Sequence, residues 1–93
     1  MGQTLRTDHL IDIASEGNGP AAFELGLAYS SGGGGVAFDL VQAHRWLNVA
    51  AIAGYAPAAA LRSEIAAEMS AREVVEAQRL ARATLAMGLR RAA

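Results

Sequence analysis

Apolar positions along this chain recur at helical spacing. Ala43, Trp46, Leu47, Ala50 and Ala51 fall at i, i+3, i+4, i+7 and i+8, one stripe on a single helix. Leu25 and Tyr29 stand four apart on a preceding segment and can face that stripe. No segment alternates apolar and polar residues as a half-buried strand does. Caps and breakers divide the pattern into five predicted helices. Thr7 caps a short one from Asp8 to about Glu16, which Gly17 and Gly19 end. Pro20 opens a second that runs to about Ser31, where Gly32-Gly33-Gly34-Gly35 breaks it. Asp39 caps a third, from Leu40 to about Ala53, and Gly54 stops it. Pro57 opens a fourth that reaches Glu68 or Met69. Ser70-Ala71-Arg72-Glu73 reads as a capping box for a fifth, from Ala71 to near Leu89.

The pattern also repeats. A shift of 37 residues places Leu10 on Leu47, Ala14 on Ala51 and Gly17 on Gly54. The same shift places Pro20 on Pro57, Ala21 on Ala58 and Ala22 on Ala59. Thus a helix end, a glycine, two residues and Pro-Ala-Ala occur twice. Self-similarity at a period of about 20–50 residues marks a solenoid or repeat array.

Leu25-Gly26, Tyr29, Gly32, Val36, Asp39, Ala43, Trp46, Ala50-Ala51, Gly54 and Ala58 resemble the pattern of the Sel1-like repeat family. On that resemblance residues 20–56 form one full repeat. Residues 7–19 are the end of an earlier one, 57–69 the first helix of a later one, and 70–93 a capping helix. The glycine stretch between Tyr29 and Val36 is one residue longer than the usual spacing. The resemblance implies an all-α fold of antiparallel helical hairpins, a short tetratricopeptide-like solenoid. It also implies an adaptor or scaffold role through protein–protein interaction, often in bacterial signalling and envelope processes, with no catalytic residues to carry over. The residues fit that packing: Gly26, Ala43 and Ala50 let two backbones approach, Trp46 fills the space further out, and Val36 turns the loop back onto the pair.

Composition narrows the class. The 93 residues suit one domain, and 53% hydrophobic content is too high for a disordered chain. Without cysteine there is no disulfide and no thiolate metal site. A net charge of −1 argues against nucleic acid, which calls for a strongly basic surface. Met1 to Asn18 lacks the apolar run of a secretory signal, and no segment approaches a membrane span, so a cytoplasmic location is predicted.

Candidate chemistry is sparse. The glycine run precedes a helix, but Gly35 leads into Val-Ala-Phe-Asp with no lysine, so it reads as an interhelical turn and not as a phosphate cradle. His9 and His44 lie on different helices, and His9 with Asp12 supplies two ligands where a closed site wants four. Ser15, Ser30, Ser31, Ser63 and Ser70 sit in no nucleophile-elbow context. No catalytic residue, metal or cofactor is predicted.

Binding residues are predicted on two helices. On the second, Phe23, Glu24, Leu27 and Ala28 mark the inner face of such a repeat. On the fifth, Val74, Ala77, Leu80 or Ala81, and Leu85 are expected to pack on the fourth helix. Arg79, Arg82, Met87 and Leu89, with Arg90 and Arg91 beyond them, are either the end of a plain capping helix, the arginines complementing its C-terminal dipole, or a docking surface. Arg72 with Glu76 and Glu76 with Arg79 form surface pairs. The charge near zero divides into an acidic edge on the first helix, Asp8, Asp12 and Glu16, and a basic last helix. The predicted partner is another protein. The alternative is a homo-oligomer formed through open repeat ends and the last helix.

Overall fold

The computed structural model describes residues 2–92, with side chains from Thr7 to Gly88. It is all-helical: α1 (Gly2–Ser15), α2 (Gly19–Ser31), α3 (Leu40–Ile52), α4 (Pro57–Ala66) and α5 (Ala71–Ala92). Local chemistry sets most boundaries. Asp39 accepts the Gln42 N–H at 3.1 Å and caps α3. Ser70 and Glu73 exchange their capping-box bonds at 2.8 and 3.1 Å and start α5. The turns after α1 and α3 share one geometry. Gly17 and Gly54 take φ of +100° and +89°, and the next N–H in each reaches back five residues, Asn18 to Ile13 and Tyr55 to Ala50. A residue with a Cβ would be strained at either glycine.

Three local expectations fail. Thr7 does not cap α1, which begins five residues earlier; its hydroxyl donates instead to the Gly34 carbonyl at 3.3 Å. Gly19 does not end α1 but starts α2, whose cap is Asn18, accepting the Ala21 N–H at 2.9 Å. Gly19 is buried because Tyr55 of the α3–α4 turn packs on it, and a Cβ there would lie 3.0 Å from the Tyr55 Cβ. Helix α4 stops at Ala66, short of Glu68, in two turns that bond Glu68 to Ile65 and Met69 to Ala66.

Helix α3 is the centre. Its Ala43, His44, Trp46, Leu47, Val49 and Ala50 are all buried, more than one stripe, because α2, α4 and α5 each pack on it. Helices α2 and α3 form the tightest pair: at Gly26 a Cβ would stand 2.6 Å from Leu47 and 3.4 Å from the Ala43 carbonyl oxygen. Leu25 joins Trp46 and Leu47 there, each worth about 1.5–3 kcal/mol of apolar burial. Tyr29, Val36 and Ala51 of the repeat pattern are only half-buried, and Gly32 takes a φ of +75° to end α2.

The largest departure concerns α5. It packs on α3, shares little direct contact with α4, and reaches α1 near its end. The buried stripe is Ala77, Ala81, Thr84 and Gly88, with Val74, Leu80 and Leu85 half-buried beside it. Small residues let this 22-residue helix lie close on α3, and Thr84 gives an α3 arginine a polar partner. The radius of gyration is 12.2 Å, that of a compact chain of this length at about 12 Å.

Candidate docking surfaces

Polar groups inside the fold are structural in geometry. Arg45 of α3 donates from Nε and Nη2 to the Thr84 hydroxyl at 3.0 and 2.8 Å, and from Nη1 to Gln42 Oε1 at 2.9 Å. Its guanidinium also lies 4.5 Å from the centroid of the Trp46 ring. Burial lowers its pKa, and no carboxylate joins the cluster among the described residues. Thr84 passes its own proton to the Leu80 carbonyl at 2.8 Å. On the α4 side of α3, Arg62 Nη1 donates to Asn48 Oδ1 at 2.6 Å. His44, 3% exposed, has its pKa lowered by burial first and by the Arg62 charge second. His9 is exposed on α1 while His44 is buried on α3, and no group of three possible metal ligands exists among the described residues.

The predicted binding residues fall on two helices that each pack on α3, with little or no contact between them. On α2, Phe23 is half-buried and its ring tilts against Tyr55 at 5.1 Å between centroids. Glu24 is half-buried, and Leu27 is 43% exposed. Phe38, which the sequence pattern does not single out, stands beside Gly32 at the end of α2 and is 61% exposed. On α5, Arg79 and Arg82 are exposed and Met87 is 58% exposed; the Leu89 side chain, like those of Arg90 and Arg91, lies outside the described residues. Arg79 donates to Glu76 from Nε at 3.0 Å, whereas the expected Arg72–Glu76 pair is not formed.

A second surface has no counterpart in the sequence reading. The C-terminal ends of α1 and α3 and the last part of α5 enclose a mostly apolar groove of about 300 Å³. Its walls include Ser15, Glu16, Ile52, Leu85 and Gly88. Ser15 is occupied, donating to the Ile11 carbonyl at 2.6 Å, so among the described residues the free polar side chain on the walls is the exposed Glu16 carboxylate. Among the described residues these walls hold no nucleophile with an adjacent base. The signal for this groove was Gly88 itself: a glycine inside a helix costs about 1 kcal/mol against alanine, and close packing is the usual return. No helix among the described residues is long and apolar enough to cross a membrane. No protein-family model matches the chain, and neither a curated protein nor a solved structure is significantly similar to it.

Proposed function

We propose that this chain is a protein-binding module, an adaptor or small subunit of a complex, with no catalysis of its own. The Sel1-like pattern from Leu25 to Ala58 suggests the role. The observation that carries it is two exposed apolar side chains, Leu27 on α2 and Phe38 in the loop that leads into α3, on a hairpin fixed by the packing of α2 against α3. A rigid surface loses little ordering entropy on binding, so even a modest apolar contact gains affinity. The reading places the chain in the cytoplasm, consistent with a fold held without cysteine.

The test is capture from extracts of the source organism by the wild-type chain and by Leu27→Glu/Phe38→Glu, which alters exposed positions only. A protein retained by the first, lost with the second, and bound again as purified material in a titration supports the reading. Equal retention by both chains, or none by either, overturns it. Self-association is a second reading, favoured by the groove on a different face.

A further inference from the structure

We propose that a second copy of this chain covers the groove between α1, α3 and α5, forming a two-fold dimer. The groove has an apolar floor, and Ile52 is left 60% exposed beside Leu85. Its two flanks carry opposite charge. Asp8 and Asp12 of α1 and Glu16 in the turn just after it follow one another at i+4, all exposed and none in a salt bridge among the described residues. On α5, Arg82 is exposed one turn before Leu85, while Arg72, Val75, Arg79 and Ala86 continue the outer face of the helix, away from the buried Ala77, Ala81, Thr84 and Gly88. Arg79 is held by Glu76, while Arg72 and Arg82 have no salt bridge among the described residues.

Asp12 stands one turn before Glu16 on one wall, and Arg82 three residues before Leu85 on the other. A two-fold axis along the groove brings the Asp12 and Glu16 side of each copy against the Arg82 side of the other, twice over. The surface is self-complementary, as an isologous interface requires. Size permits it: a standard interface takes about 800 Å² from each partner, near 15% of the 5323 Å² exposed here. Helices of 14 and 22 residues offer edges about 21 and 33 Å long. The apolar centre supplies affinity, and the charged flanks set register and encounter rate. Leu27 and Phe38 take no part, so this proposal goes beyond the adaptor reading and each can fail alone.

Light scattering after size exclusion, from low to high micromolar chain in low salt, tests it. The expected mass rises to twice the 9.6 kDa of one chain and falls back as sodium chloride screens the flanks. Ile52→Glu is expected to leave a folded monomer, and Asp12→Arg to weaken the dimer about tenfold or more. Adding Arg82→Glu to Asp12→Arg restores it, because the swap regenerates both pairs. Circular dichroism confirms that these exposed substitutions leave the helices intact. A wild-type monomer throughout, a dimer indifferent to Ile52→Glu or to Asp12→Arg, or a swap that fails to restore it overturns the proposal.

Discussion

Gly88 of α5 lies so close to the backbone carbonyl of Ser15, at the end of α1, that no Cβ fits between them. The obstacle is backbone and cannot rotate away. Gly88→Ala therefore sets a helix-propensity gain of about 1 kcal/mol against forced separation of α5 from α1. Overpacking costs about 1–3 kcal/mol, more where backbone must move. The variant is expected to be less stable than wild type by about 1–2 kcal/mol in urea unfolding. An unchanged or raised midpoint would show that α5 does not seat on α1 this way.

The Arg45–Thr84 contact predicts an asymmetry. The hydroxyl gives its proton to Leu80 and accepts two N–H groups from Arg45, so every valence is used. Thr84→Val keeps the shape and strands a half-buried cation, at a cost of about 1–3 kcal/mol. Thr84→Ser is expected to recover most of that loss. If valine and serine destabilise equally, the hydroxyl is not what holds α5 on α3.

At Gly26 the obstacle is a side chain, and the outcome differs in kind. Gly26→Ala is expected to destabilise by about 1–3 kcal/mol because Leu47 is buried and has nowhere to go. Leu47→Ala alone costs about 2–5 kcal/mol through the cavity it leaves. The double variant is expected to fall short of the summed costs by at least about 0.5 kcal/mol, since the new methyl group enters that cavity. Additive costs would place Gly26 and Leu47 out of contact.

His44 makes stability depend on pH with a definite sign. Its folded pKa lies below the ordinary 6.5, through burial and then the Arg62 charge. Above 6.5 the ring is neutral in both states and the fold loses nothing. As pH falls through 6.5 the unfolded chain takes up a proton that the folded chain resists, and stability declines until the folded ring protonates as well. Urea unfolding at about pH 7.5 and about pH 5 is expected to show a larger loss for wild type than for His44→Gln. Equal losses would mean that His44 is not the titrating group.

How much of this was legible depends on range along the chain. Signals acting within one turn read well: the Asp39 cap, the Ser70–Glu73 box and the Gly54 stop each work through backbone groups three to five residues away. The close approach of α2 and α3 at Gly26 and Ala43 was also legible, because a helical hairpin brings its two stripes together by default, though not that Leu47 is what meets Gly26. What failed was the choice among distant partners. The pattern in α5 marks a face to be buried but not the helix that buries it: Ala77 and, as the alternative to Leu80, Ala81 were legible as buried, whereas Thr84 and Gly88 were not. The interior position of His44 was hidden for the same reason, since a helix enclosed by three others has no single apolar stripe. Asn18 was missed as the α2 cap because the flanking glycines suggested a longer turn.

The return of α5 to α1 bears on how the molecule comes apart. A linear stack of helical repeats joins only neighbours, so it can unravel from a free end one unit at a time. Here the last helix is seated against the first, and α3 is held from α2, α4 and α5 together. Lifting α5 from the bundle therefore opens its contact with the end of α1 as well as its seat on α3. The contact at Gly88 thus couples the opening of α5 to that of α1, two helices that lie far apart along the chain.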